Sequence, residues 1–402
     1  MPRPLEAKKI SDHAYWVGAI DWDIRDFHGY TTRRGTTYNA YLVMADRITL
    51  IDTVKAPYRD ELMTRISSVI EPRDISVIVS NHSEMDHSGC LGDVIEAVQP
   101  ELVVASPMGT KALQDHFHRR FQVSDVADGE SLSLGNLTLR FYETRMLHWP
   151  DSMFTYLDND RLLFSQDAFG MHLASTERFD DELDDCVLFD EAGTYYANIL
   201  LPYSPLIAKL LDRIGSLGLE LKLVAPDHGP VWKSKFARIA QSYATWAAQK
   251  PTLKAVVAYD TMWGSTAKMA RAVADGLAAG GASPRLVNLR SSPRSDLATE
   301  LLEAGALLVG TPTLNNGMFP TLGDALTYVK GLRPRNLVGA VFGSYGWSGE
   351  GVTHAGAILE EMKVELLSDA LSVKYVPDAA ALQDCRALGV KVAEHLVRLI
   401  GL

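Results

Sequence analysis

The stretch "NHSEMDHSG", Asn81 to Gly89, places His82, Glu84, Asp86 and His87 directly after the apolar run "ISVIVS". Imidazole and carboxylate are ligands of divalent transition metals, and a strand that ends in a loop can aim several of them at one point. If the backbone stays extended, alternation puts His82, Glu84 and Asp86 on one side, and His87 turns inward as the chain bends at Ser88 and Gly89. The alternative is a polar loop whose histidines and acids face water or form surface pairs. Later strands run into loops at further candidates: His148 after "RML", Asp167 after "RLLFS" and His228 after "LKLVAP". Each alone has an ordinary structural explanation, a satisfied histidine or a turn-capping aspartate. Together they make seven potential ligands, too many for one structural zinc. That number suits two metals with one bridging carboxylate, and Asp167, the lone aspartate of the later loops, is the natural bridge.

Two kinds of segment surround these residues. Up to about residue 250 the chain reads as many strands, including "YNAYLVMADRITLID", "LTLRFYETRML" and the hairpin "MFTYLDNDRLLFS", which turns at Asn159 and Asp160. An amphipathic helix around Phe236 to Ala248 then ends at Lys250 and Pro251, and beyond it strand and helix alternate. With 402 residues the chain exceeds what one hydrophobic core usually organises. Two domains are expected, 1–250 and 251–402. No internal repeat or low-complexity tract is visible.

Composition narrows the function classes. The chain is 47% hydrophobic and 22% charged, and it contains no apolar run long enough to span a bilayer. The opening "MPRPLEAKKISDHAY" lacks the apolar core of a signal peptide, so a cytoplasmic location is expected, with no membrane partner. A formal charge of -11 argues against nucleic acid as a partner. The three cysteines, Cys90, Cys186 and Cys385, form no C-x-x-C pair, so neither a disulfide framework nor a cysteine-ligated iron–sulfur or zinc centre can be built. Any electron relay must be another cofactor, and Cys90 reads as a small buried hydrophobe.

The order "HSEMDH", then a histidine, an aspartate and a histidine at successive strand ends, resembles the metallo-β-lactamase fold, whose hydrolases usually carry His-x-His-x-Asp-His in the first loop. Here Glu84 replaces the second histidine. In that respect the chain is similar to the flavodiiron proteins, also called A-type flavoproteins, whose paired metals are iron. Carboxylate is a harder ligand than imidazole and favours ferric iron, so a carboxylate-rich site suits iron that changes oxidation state. The resemblance implies two non-haem irons per chain. One would take His82, Glu84 and His148 and the other Asp86, His87 and His228, with Asp167 bridging. It also places His28, His172, Tyr195 and Tyr196 near the irons, where each could donate a hydrogen bond to bound gas. A partly buried aromatic with a satisfied polar tip is the competing explanation for each.

A flavodiiron protein needs a flavin, and the second half supplies a candidate site. "LKAVVAYDTMWGST" is an apolar strand opening into a loop with hydroxyls at Thr261, Ser265 and Thr266 and a turn residue at Gly264, followed by a helical stretch. Backbone N–H groups of such a loop cradle a phosphate at the positive end of the helix. The loop has no positive side chain, which fits a flavodoxin-type FMN phosphate site and not a Walker-type loop, whose lysine is missing. Two later strand ends, "ALLVGTPTLNNGMFP" and "LVGAVFGSYGWSGE", complete a pocket at the carboxyl edge of one sheet. The FMN-binding candidates are Thr261, Met262, Trp263, Gly264, Ser265 and Thr266; Thr311, Pro312, Thr313, Leu314, Asn315, Asn316 and Gly317; and Ser344, Tyr345, Gly346, Trp347, Ser348 and Gly349. Trp263 and Trp347 are candidate stacking residues.

The resemblance spans nearly the whole chain. It implies an α+β metallo-β-lactamase-like αββα sandwich followed by an α/β flavodoxin-like, doubly wound parallel sheet. It further implies an oxidoreductase that reduces O2 to water, NO to nitrous oxide, or both, at a diiron site refilled by FMN. Reducing one O2 to two waters consumes four electrons and coupling two NO consumes two; a ferrous pair can give two and a reduced flavin two more. Neither rubredoxin-type cysteine pairs nor a G-x-G-x-x-G dinucleotide loop is present, so an external donor is expected: a rubredoxin, a flavin reductase or reduced F420. The family also implies a head-to-tail homodimer, in which one subunit's FMN serves the other's irons, or a dimer of such dimers. The principal rival is a zinc-dependent hydrolase of the metallo-β-lactamase superfamily with a fused flavodoxin-like module, against which Glu84 argues. A flavin-only electron carrier would require all seven ligands to be incidental.

Overall fold

A computed structural model describes residues 5–401. The chain divides into two compact units, one formed by residues up to His28, Thr32–Tyr195 and Pro205–Ala244, the other by Gly29–Thr31, Tyr196–Ser204 and the chain from Thr245 onward. The division falls inside the helix Phe236–Ala248, whereas the sequence places it after Lys250, and two short segments of the amino-terminal half join the second unit.

Two large sheets build the first unit, which also holds a short antiparallel pair, Ala19–Asp21 with Thr36–Tyr38. In the larger one, the strands Lys8–Lys9, Ala14–Trp16, Tyr41–Val43 and Ile48–Ile51 pair antiparallel, and Ile75–Ser80, Leu102–Ala105 and Ser124–Asp125 continue it in parallel. The other runs Ser131–Ser133, Thr138–Glu143, Met153–Leu157, Leu162–Gln166, Leu223–Pro226, with only the last pair parallel. Alternation sorts their side chains. Val77 and Val79 join Phe141, Leu157 and Phe164 in the core between the sheets. Ile78 faces the other way, onto Leu62 and Ile66 of the helix Arg59–Ser67 and Leu91 and Val94 of the helix Leu91–Val98. Behind the smaller sheet, Tyr243 of the helix Phe236–Ala248 packs on Phe169 at 4.7 Å between ring centres. The unit is the expected αββα sandwich.

In the second unit the sheet order is Ser283–Asn288, Lys254–Tyr259, Ala306–Leu314, Val338–Tyr345, Glu365–Leu366, with Leu371–Lys374 also beside Val338–Tyr345, all parallel. The central strands are buried on both faces, which is why they read as continuous apolar runs. Met269 and Val273 of Ser265–Ala279 and Leu388 and Val392 of Ala379–Leu399 cover one face; Leu297, Leu322 and Leu359, from three other helices, cover the opposite one. This is a doubly wound flavodoxin-like sheet. Among the described residues no helix is long and apolar enough to cross a membrane.

Candidate metal centre and cofactor pocket

Both large sheets of the first unit end in loops that carry the predicted ligands. Ile75–Ser80 ends at Ser80, and His82 follows with its side chain fully buried. The extended backbone expected through Asp86 does not continue, because Glu84 starts a helical turn, Met85–Ser88, with Ser88 Oγ donating to Ser83 O at 2.7 Å. The turn sends Met85 to the surface, 49% exposed, and brings Asp86 and His87 inward together. Gly89 is needed where it stands, since a Cβ there would lie 2.9 Å from the backbone N of Ala56. His148 is not at a strand end: Thr138–Glu143 stops before it, and it sits in the turn leading to Met153–Leu157. Asp167 follows Gln166, whose left-handed φ of 44° ends its strand and whose Oε1 accepts the Asp167 N–H at 2.7 Å. His228 follows Leu223–Pro226 closely.

All seven converge as two groups. His82, Glu84, His148 and Asp167 offer ligand atoms within 4.8 Å of one another, and so do Asp86, His87 and His228. Asp167 faces both. Its Oδ2 lies 3.0 Å from His148 Nε2 and 3.3 Å from His82 Nε2, while its Oδ1 lies 3.2 Å from His87 Nε2 and 3.6 Å from His228 Nε2. Glu84 Oε2 is 3.2 Å from His148 Nε2, and Asp86 Oδ2 is 3.2 Å from His228 Nε2. Asp86 Oδ1 and Oδ2, His87 Nδ1 and Nε2, and Asp167 Oδ1 are buried without a hydrogen-bond partner. Burying an unpaired ion costs several kcal/mol, and cations shared by these atoms remove that cost. The donor set, four imidazoles and three carboxylates, fits a pair of iron ions.

The far sides of the histidines are held by groups that sequence reasoning missed. His82 Nδ1 donates to Asp151 Oδ2 at 3.1 Å, and Asp151 is itself fixed by Ser83 N–H at 2.6 Å. His228 Nδ1 donates to the Thr37 carbonyl at 2.5 Å. Asp227, fully buried, stands 3.7 Å from His87 Nδ1. Hydrogen-bonded partners such as Asp151 and the Thr37 carbonyl set which ring nitrogen faces the metal. Asp151, three residues after His148 in "HWPD", has a sequence signal; Thr37, nearly two hundred residues from its partner, has none.

Of the four residues expected beside the metals, three stand against the ligand side chains or their immediate neighbours. His28 Nε2 donates to Glu84 Oε1 at 3.1 Å, with the His28 side chain 69% exposed. His172 is buried, hydrogen-bonded to Thr36 Oγ1 at 2.8 Å, its ring 4.7 Å from that of His228. Tyr195 packs 5.1 Å from His172. Tyr196 is a correction. It belongs to the second unit, where its hydroxyl is 3.1 Å from Ser204 Oγ and its ring packs on Trp246 at 5.2 Å. Consecutive helical residues point about 100° apart, so Tyr195 and Tyr196 cannot share one target.

The electrostatics of the cluster's own side chains yield a pH prediction. Burial opposes charge on His87, yet Asp86 and Asp167 overcome it and push its pKa from 6.5 up to about 9. His82 and His148 are likewise raised against burial, by carboxylates that include Asp167 and Glu84. Asp167 and Asp86 are lowered against burial, chiefly by His87. A histidine with a raised pKa contributes stability that is fully present below its unfolded pKa and lost as pH rises through its folded value. Chelator-treated protein is therefore expected to lose thermal stability between pH about 6.5 and about 9, and iron-loaded protein, whose ring nitrogens hold metal instead of protons, to change little. Parallel melting curves would check this; a flat profile for the metal-free protein would contradict it.

In the second unit the three predicted loops enclose a cavity of about 490 Å³. Thr261, Met262, Trp263, Ser265, Pro312, Thr313, Leu314, Asn315, Asn316, Ser344, Tyr345, Gly346, Trp347 and Ser348 line it, and so does Tyr375, which sequence reasoning missed. Trp263 and Trp347 are 94% and 88% exposed. Five predicted residues build the loops instead. Thr266 is buried and bonded to Ser344 Oγ at 3.1 Å; Thr311 Oγ1 accepts the Phe319 N–H at 2.9 Å; Gly317 sits in a short hairpin; Gly264 and Gly349 precede helices. Gly264 adopts φ 89°, and no side chain caps the helix Ser265–Ala279 that it begins, which leaves the helix's first N–H groups for an anion. The pocket fits FMN: a phosphate cradle at one end and aromatic surfaces beside it.

Comparison with known proteins agrees with this geometry. The ODP family beta lactamase model matches residues 36–229, and the flavodoxin model matches residues 257–389. The nitric oxide reductase of Moorella thermoacetica is 45% identical over 391 residues, covering 96% of this chain and 98% of that protein. Among solved structures, the rubredoxin oxygen:oxidoreductase of Desulfovibrio gigas superposes with a TM-score of 0.97 at 42% identity over 99% of this chain and 100% of that one. The flavodiiron protein of Giardia intestinalis does so with a TM-score of 0.96 at 31% identity, over 100% and 99%. The hydrolase alternative is not favoured by any of these. Identity sustained across both modules, together with a cluster suited to two irons and a pocket suited to FMN, makes this chain a member of the flavodiiron protein family, an oxidoreductase with a non-haem diiron site and FMN as its cofactors.

Proposed function

We propose that this chain scavenges O2 by reducing it to water, NO by reducing it to nitrous oxide, or both. The observation that carries this is the placement of Asp167, one carboxylate oxygen toward each ligand group. His82, Glu84 and His148 would hold one iron, Asp86, His87 and His228 the other, and Asp167 would bridge them. When bound, the iron pair and FMN supply the electrons. The chain's own residues do the rest. Asp151 and the Thr37 carbonyl orient the rings of His82 and His228, and Asp227 lies beside His87. Phe27, whose ring lies 4.7 Å from that of His172, and Tyr195 wall the second group with apolar surface, which limits water.

Both reactions consume protons. His28, exposed and bonded to Glu84, connects solvent to the cluster, while buried His172 is kept neutral, its pKa driven well down first by burial and then by His228. A neutral imidazole can donate one hydrogen bond to a bound substrate. Electrons come from an external donor, a rubredoxin, a flavin reductase or reduced F420. The reading includes a head-to-tail homodimer, or a dimer of such dimers, and a cytoplasmic location.

The purified protein is expected to carry about two irons and one FMN per chain, because two ligand groups suit two metals and one pocket suits one flavin. Elemental analysis with flavin quantitation tests this. Stoichiometric zinc with little iron in active protein would sink the iron assignment, and stopped-flow oxidation of the reduced protein by O2 and by NO separately would rank the gases.

A further inference from the structure

The loop Thr261 to Thr266 carries no cation, but the fold brings one to it. Arg290 lies just beyond the strand Ser283–Asn288, which pairs with Lys254–Tyr259, the strand that feeds the loop. Its Nη2 donates to the Thr261 carbonyl at 2.9 Å and stands 3.5 Å from Asp260 Oδ1. The Arg290 backbone is itself anchored, its N–H donating to Asn288 Oδ1 at 3.1 Å. Asp260 is fully buried; its Oδ1 accepts the Thr261 N–H at 2.6 Å and its Oδ2 accepts the Thr321 hydroxyl at 2.6 Å.

These contacts create an electrostatic problem and its remedy together. The Asp260 carboxylate fixes the first residue of the loop, but it also sets a negative charge behind a cradle of N–H groups meant for another anion. Like charges in a partly desolvated site repel over several ångströms. We propose that Arg290 is a positioning residue for the FMN phosphate: it offsets the Asp260 charge and, by holding the Thr261 carbonyl, keeps the loop's N–H groups turned toward the ligand. The inference rests on the assignment of Thr261 to Thr266 as the phosphate loop. The Arg290 side chain is 59% exposed, so its influence is screened by salt.

The test is titration of FMN-depleted, full-length protein with FMN and with riboflavin, which lacks the phosphate. Arg290→Ala should weaken FMN binding about five- to tenfold at low salt, less at high salt, and leave riboflavin affinity unchanged. Arg290→Lys should recover part of the loss. Asp260→Asn combined with Arg290→Ala should recover the electrostatic part of it, because the charge to be offset is gone, while the amide oxygen can still accept the Thr261 N–H and the amide NH2 can donate to the Thr321 hydroxyl. Unchanged FMN affinity in Arg290→Ala would overturn the inference, as would an equal loss for FMN and riboflavin, the mark of a loop that has simply collapsed. Failure of the double variant to recover would overturn the electrostatic role. If the unaltered protein bound riboflavin as tightly as FMN, the phosphate-loop assignment itself would fall.

Discussion

Asp167→Ala is expected to strip iron from the first domain and abolish gas reduction while FMN stays bound. Among the described residues, Asp167 is the carboxylate that reaches both ligand groups, with Oδ2 near His82 and His148 and Oδ1 near His87 and His228. Its removal takes a ligand from each group and leaves histidines that were held in place partly by its charge. Loss of an orienting partner alone typically costs 10–100-fold in metal affinity, so loss of a shared ligand should exceed about 100-fold. The FMN pocket is lined entirely by residues from 261 onward, so flavin content and flavin reduction by the external donor should be preserved. Iron analysis, flavin absorbance and anaerobic gas-consumption assays measure the three quantities; retention of both irons with full activity would show that Asp167 is no bridge.

Glu84→His should have the next largest effect, because this residue separates the chain from the hydrolase pattern. Glu84 lies 3.2 Å from His148 Nε2 and 3.3 Å from His82 Nε2, and it accepts the hydrogen bond of His28. Its pKa is lowered despite burial, through His148 and His82, so it is a carboxylate at neutral pH. Histidine there removes one negative charge, adds a ligand acceptable to zinc and deprives His28 of its acceptor. Weaker iron retention, a raised diiron reduction potential and a large loss of O2 or NO reduction are expected, with flavin reduction unaffected. A variant that kept its iron and reduced gas at the native rate would show that Glu84 does not tune the metals.

Local patterns made much of this legible. The apolar run before Asn81, the Asn159–Asp160 turn and the strict alternation after Pro251 report periodicity and turn chemistry, which depend on neighbours in sequence. The ligand types were legible for the same reason, since four metal-binding side chains in one short loop are a local feature. Local reasoning also produced the errors. The extended backbone on which His82, Glu84 and Asp86 would share a side gives way to a helical turn at Glu84, and His148 was attached to a strand that stops at Glu143. The same reasoning kept Tyr195 and Tyr196 together where helical geometry must part them.

The sequence by itself determined the donor set, the substitution of carboxylate for imidazole at Glu84, the two-domain order and the glycine- and hydroxyl-rich flavin loops, all of which are fixed by residue type and near spacing. The family resemblance already implied which ligands share a group; only the tertiary structure brought the ligand atoms of each group within 4.8 Å of one another, turned each oxygen of Asp167 toward a different group, and set Asp151, Thr37, Tyr375 and Arg290 behind or beside the sites. The reason is strand pairing. Parallel and antiparallel neighbours such as Ile75–Ser80 beside Ile48–Ile51, or Leu162–Gln166 beside Leu223–Pro226, bring loop ends together across tens of residues of sequence. No periodicity in the chain encodes where those ends will meet.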